Sequence, residues 1–159
     1  MATSTITPDQ DAIHAETFIA ASPERVFRAI TDPEQITQWW GQKDMYRTTH
    51  WQVDLRPGGA WRSEGVNAEG NAFHVSGTYL EIDPPRLLVH TWQPSWESGL
   101  KSTVRWELTP KDEGTLVKVR HSGFGENAKS KQGHSEGWLR VLAWARGFAE
   151  KGITVDSPG

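Results

Sequence analysis

Between residues 50 and 121, six short segments alternate apolar and polar side chains, and tight turns separate them. Strict period two predicts strands with one buried face. Trp51, Val53 and Leu55 share a face in "HWQVDL", and Phe73, Val75, Gly77 and Tyr79 share one in "NAFHVSGTYLEI". "AWRSEGV", "LLVHTWQ", "STVRWEL" and "LVKVRH" complete the set. The turn "RPGG" places Pro57 and Gly58 at the central positions of a type II turn. A single long amphipathic segment follows. In it Trp138, Val141, Leu142, Ala145, Phe148 and Ala149 recur at helical spacing, which predicts a helix over about 133–151. An antiparallel sheet with one apolar face needs a cover, and this helix is long enough to supply it. One helix cannot fill the whole concave face of a twisted sheet. Large side chains fill the remaining space, or it stays a cavity.

Before the meander, "AIHAETFIAA" (12–21) reads as a further strand. Ser22 followed by Pro23 is a helix start, with Val26, Phe27 and Ile30 as the buried stripe. Asp32 followed by Pro33 repeats that signal, with Gln35 at the capping-box position. In this second short helix Ile36, Trp39 and Trp40 fall on one side, and Gly41 ends it. Adjacent residues on a helix lie about 100° apart, so the paired indoles cannot do the same job. Trp40 is expected to anchor the helix in the core and Trp39 to border a pocket mouth. Residues 1–11 read as a flexible arm, 12–152 as one domain and 153–159 as a flexible tail.

A chain of 159 residues suits one domain with one core. Its net charge of −3 and lack of a basic run give no general attraction to nucleic acid or to anionic membranes. With no cysteine there is no disulfide framework and no thiolate chemistry, which fits a cytoplasmic setting. The start lacks a basic segment leading into an apolar one, so no secretory signal is read there. Nine tryptophans against two tyrosines imply either a strongly aromatic core or an aromatic cavity.

Gly133-His134-Ser135-Glu136-Gly137 matches the nucleophile-elbow pattern of serine hydrolases. The elbow needs a strand running into the turn, and "GENAKSKQ" has no strand character, so the match reads as chance. The six histidines show no metal-ligand spacing, and no cofactor motif is present. His90 runs in phase with Leu88 and Trp92, and His121 with Val117 and Val119, which turns both imidazoles toward the concave face.

The ordered set "AASPERVFRAITDPEQITQWWG", "VDLRPGGAWR", "GTYLEIDPPRLLVHTW", "VRWELTP", "GTLVKVRHSGF" and "GHSEGWLRVL" resembles the START-like (Bet v 1-like, helix-grip) superfamily. Within it, the chain is similar to the branch named after the C-terminal domain of the activator of heat-shock protein 90 ATPase. The resemblance implies an α+β helix-grip fold: a curved seven-stranded antiparallel sheet around a long C-terminal helix, with a deep cavity between them. Relatives carry small molecules and lipids, cyclise polyketides, neutralise reactive natural products or activate a chaperone.

The expected function is therefore binding of an apolar, aromatic or polycyclic small molecule, without a cofactor. Trp39, Trp40, Trp61, Tyr79, Trp92, Trp106 and Trp138 are the candidate walls, and His90 and His121 the polar points. A cyclase or dehydratase using a pocket histidine as acid–base is the enzymatic alternative. A chaperone partner acting through its surface is the third reading. Two open sheet edges make a homodimer the expected assembly.

Overall fold

The computed structural model describes residues 2–8 and 11–157. Its elements are β1 (Thr3–Ile6), β2 (Ala12–Ile19), α1 (Pro23–Thr31), α2 (Pro33–Trp39), β3 (Gly41–Gln42), β4 (Tyr46–Val53), β5 (Ala60–Asn67), β6 (Ala72–Asp83), β7 (Leu87–Pro94), β8 (Ser102–Lys111), β9 (Gly114–Ser122) and α3 (Ala128–Lys151). The strands form one sheet in the order β1-β2-β9-β8-β7-β6-β5-β4-β3. Every pairing is antiparallel. Register shifts between Thr48 and His50 and between Tyr79 and Glu81 interrupt the ladder, and bulges of this kind bend a sheet.

The local signals act as their chemistry requires. Ser22 Oγ accepts from the Arg25 amide at 3.1 Å, and Asp32 Oδ1 accepts from the Glu34 amide at 3.0 Å. Gln35 does not complete a capping box. The Asp32 amide already closes α1 on the Arg28 carbonyl, and Gln35 Oε1 instead accepts from Arg25 at 2.8 Å. Gly58 has φ +85°, and the Gly59 amide returns to the Arg56 carbonyl at 2.8 Å, as a type II turn requires.

Among the described residues the sheet has nine strands where seven were expected. One addition is the two-residue β3, beside β4. The other is β1, inside the stretch read as a flexible arm. It pairs with β2 from Thr3 opposite Glu16 to Ile6 opposite Ile13. Small polar residues gave no apolar period there, but main-chain pairing with a strand edge does not need one. In the stretch read as a tail, the Val155 amide donates to the Gln38 carbonyl at 2.8 Å, and Val155 is buried. Residues 1, 9 and 10 of the expected arm and 158–159 of the tail lie outside the described residues. The last helix begins at Ala128 rather than near 133 because Asn127 caps it, its side chain accepting from the Ser130 amide at 3.0 Å. Leu55 falls beyond the end of β4 and is exposed.

The long helix α3 crosses the concave face off-centre. It packs against β2, β1 and α1. Val141, Leu142, Ala145 and Phe148 are buried along its second half. The side of the sheet made by β4 to β7 lies across a gap from the first half of α3. No helix among the described residues is long and apolar enough to cross a membrane.

Candidate functional site

That gap is a cavity of about 1020 Å³. The sheet contributes Thr48 and Trp51 from β4, Ser63 from β5, Phe73 and Val75 from β6 and Trp92 from β7. The segment after β7 adds Ser95, Trp96 and Glu97, and α2 ends at it with Trp40. Helix α3 supplies Ser130, Gly133, His134, Gly137, Trp138, Arg140 and Val141.

The two glycines explain why the space is open. They stand one helical turn apart, on the face that looks into the cavity. A Cβ added to Gly133 would meet nothing within 4 Å, and one added to Gly137 would meet only the tip of Arg140, 3.9 Å away. Glycine inside a helix costs about 1 kcal/mol relative to alanine. Two such residues facing a void mean that the helix gives up stability where the cavity is. The pattern that resembled a nucleophile elbow is therefore a pair of gaps in a helix wall. Ser135 sits between them, buried, with its Oγ 2.9 Å from Ser4 Oγ of β1. It lies well inside α3, with no strand entering a turn before it.

Trp40, Trp92 and Trp138 of the expected walls line the cavity. Trp39, Trp61, Tyr79, His90, Trp106 and His121 do not line it, and belong to the buried core. Trp39 is 1% exposed and its indole N–H donates to the Ala29 carbonyl at 2.8 Å, so it is the anchor. Trp40 faces the space, which reverses the roles expected of the pair. The indoles form one continuous cluster. Trp40 stacks on Trp39 at 5.2 Å and on Trp92 at 6.2 Å, and Trp51 stacks on Trp61 at 5.7 Å.

Three indole N–H groups each donate to an imidazole nitrogen. Trp106 donates to His90 Nε2 at 3.2 Å, Trp138 to His121 Nδ1 at 3.0 Å and Trp92 to His134 Nε2 at 3.2 Å. Each ring must then carry its proton on the other nitrogen. His90 Nδ1 donates to the Thr91 carbonyl at 2.9 Å, His121 Nε2 to Ser102 Oγ at 2.7 Å and His134 Nδ1 to the Ser130 carbonyl at 2.9 Å. An imidazolium could not accept from an indole, so the arrangement requires three neutral rings. Burial acts in the same direction. It pushes His90 down to about 4, against the pull of the Thr91 carbonyl. It holds His121 well below the ordinary histidine value, with His134 and His90 as further charges against protonation. It lowers His134 too, opposed by the Ser130 carbonyl and by Glu97.

His134 is the histidine that reaches the cavity, and its sequence gave little reason to choose it over the other five. Its signal was the helix position four residues before Trp138, on the same face. Beside it Ser130 Oγ donates to Glu97 Oε1 at 2.6 Å and lies 3.4 Å from His134 Nδ1. Tyr46 also lines the cavity. Its ring is held edge-on to Phe73 at 5.5 Å and to Trp144 at 5.7 Å. Burial pushes its hydroxyl up, against the Trp40 indole and the Arg140 guanidinium, so it is a neutral phenol able to donate. No three His, Asp or Glu side chains among the described residues converge as a metal ion would require.

A model of the family described as "Activator of Hsp90 ATPase homolog 1-like protein" matches residues 20–144. Among solved structures the chain is similar to protein CV1439 of Chromobacterium violaceum, with 24% identity, TM-score 0.77 and coverage of 88% of this chain and 97% of that one. It is similar to Ms6760 of Mycobacterium smegmatis, with 19% identity, TM-score 0.80 and coverage of 93% and 96%. DynU16, of the dynemicin biosynthetic locus, shares 22% identity at TM-score 0.74 over 91% of this chain and 49% of its own. No curated protein matches by sequence. The likeness to these structures is one of fold, and the family match spans most of the domain, so the chain belongs to the Activator of Hsp90 ATPase homolog 1-like family.

Proposed function

We propose that the protein binds an apolar aromatic small molecule in the cavity between β4–β7 and the first half of α3. The observation that carries this reading is the pair Gly133 and Gly137. Gly133 is exposed and Gly137 half-buried, and between them the helix leaves the space open opposite Trp40 and Trp51. Indole faces provide broad apolar contact for a flat ligand. Membership of a biosynthetic locus by DynU16, a protein of the same fold, is in keeping with a small-molecule ligand.

Titration with N-phenyl-1-naphthylamine, an uncharged aromatic probe, tests the proposal. Wild type should bind it with enhanced probe fluorescence and quenched tryptophan emission. Gly137→Leu, which puts a side chain into the cavity, should abolish binding while the protein stays folded. Unchanged binding by that variant would reject the cavity as the site.

A second reading, proton transfer to a cavity ligand, draws on His134 with Ser130 and Glu97 beside it. Its accepting nitrogen is engaged by Trp92, so a substrate would have to displace that indole N–H first.

A further inference from the structure

The cavity wall is apolar at depth and charged toward its opening. Its charged lining residues are Glu97, Lys129 and Arg140. Glu97 is already served by neutral donors, with Ser130 Oγ at 2.6 Å and Asn127 Nδ2 at 3.4 Å. Among the described residues neither cation is paired with a carboxylate.

Arg140 differs from nearly all the other arginines. Arg47, Arg56, Arg62, Arg86, Arg105, Arg120 and Arg146 each hold a carboxylate. Arg25 donates to Gln35 and lies 4.9 Å over the Phe148 ring. Arg28 is exposed in the last turn of α1. Arg140 therefore has no ion pair among the described residues, and it stands at the cavity. Tyr46 lines the same cavity, its ring fixed between Phe73 and Trp144. A guanidinium and a phenol O–H in the same cavity lining, both donors and neither an anion, are complementary to a negatively charged oxygen group.

We infer that the ligand is an aromatic acid, its rings against Trp40 and Trp92 and its anionic group held by Arg140 and Tyr46. This deepens the cavity-binding reading and rests on it. A neutral aromatic would gain nothing from the guanidinium. A cationic one would be repelled by Arg140 and Lys129 together.

Two probes with the same anilinonaphthalene skeleton separate the claims: 8-anilino-1-naphthalenesulfonate and uncharged N-phenyl-1-naphthylamine. Wild type should bind the sulfonate more tightly. Arg140→Gln, a change at an exposed side chain, should weaken the sulfonate about tenfold, as loss of one charge-assisted contact would. It should leave the neutral probe unchanged. Tyr46→Phe should weaken the sulfonate less, in the same selective way. If Arg140→Gln leaves both affinities unchanged, or lowers both equally, the acid-binding inference is overturned while the cavity reading stands. Sulfonate binding that survives Gly137→Leu would place that probe outside the cavity and overturn the inference. Failure of wild type to bind either probe would remove the cavity reading and the inference with it.

Discussion

The two sides of the sheet meet the same helix and behave differently. On one side β2, β8 and β9 present Ile13, Ala15, Val104, Val117 and Val119, none more than 1% exposed, in the part of the core covered by α1 and α3. On the other, β4 to β6 present Trp51, Ser63 and Val75 across open space from the first half of α3, while Trp92 of β7 borders that space and reaches His134. Both sides carry large sheet side chains, Trp106, Leu108 and His121 on β8 and β9 and Trp51 and Trp92 on the other, so the cavity is not caused by a shortage of sheet side-chain volume. The helix makes the difference. On the face where its first half carries Gly133 and Gly137, its second half carries Val141, Trp144 and Phe148. A cavity in this fold is thus set by which turns of α3 lack side chains, and by its lean toward the β1–β2 edge.

The largest test of that contrast lies in the tryptophan pair. Trp39→Ala should cost about 3–5 kcal/mol by denaturant titration, since it empties a fully buried site and orphans the Ala29 carbonyl. Probe affinity of the folded fraction should stay the same. Trp40→Ala should cost less and shift probe affinity instead. Equal stability losses with unchanged affinity in both would show that the pair is core only, and that the open side ends short of α2.

The next effect is acid sensitivity. His90, His121 and His134 all have folded values below the ordinary 6.5. The unfolded chain therefore takes up protons first, and stability is whole above about pH 6.5 and declines as pH falls. The His90 share, about 3 kcal/mol, is lost by the time pH reaches its folded value. His90→Gln keeps an acceptor for the Trp106 N–H and removes the titration. Its denaturant midpoint should fall less than that of wild type between pH 7 and pH 4.5, and parallel declines would disprove the assignment.

A smaller change of opposite sign is expected from Gly137→Leu. Replacing a helix glycine should stabilise the protein by about 1 kcal/mol, raising Tm by about 2–4 °C, even as probe binding disappears. A destabilised variant would mean that the space is already in contact with something a leucine displaces. The smallest effect is at Ser135. Ser135→Ala removes one hydrogen bond to Ser4 and should cost about 0.5–1 kcal/mol, loosening β1 as seen by amide exchange. A fluorophosphonate probe should label neither form, and labelling at Ser135 would restore the hydrolase reading.

Much of this architecture can be read from one dimension. Alternation at Phe73, Val75 and Tyr79, the starts at Ser22 and Asp32 and the stripe from Trp138 to Phe148 depend on neighbours within a few residues. Each carries its structure locally. Gly133 and Gly137 were visible too, but as a motif for another chemistry; only their position on the helix face shows what they do. The strand β1 was not legible because an edge is paired through main-chain groups, which any sequence possesses.

By itself the sequence determined an antiparallel sheet, a covering helix, a tryptophan-rich interior and two histidines turned inward. Tertiary structure alone decided which tryptophans face space, which histidine reaches it and which arginine stands there unpaired. Burial of His90 and His121 follows from strand phase, a local property. Whether a buried ring touches ligand or another ring depends on the lean of α3 across the sheet and on the rotation of α2. Both are set by packing between segments distant in the chain, such as Val155 against Gln38 and β1 against α3, and no local pattern records them.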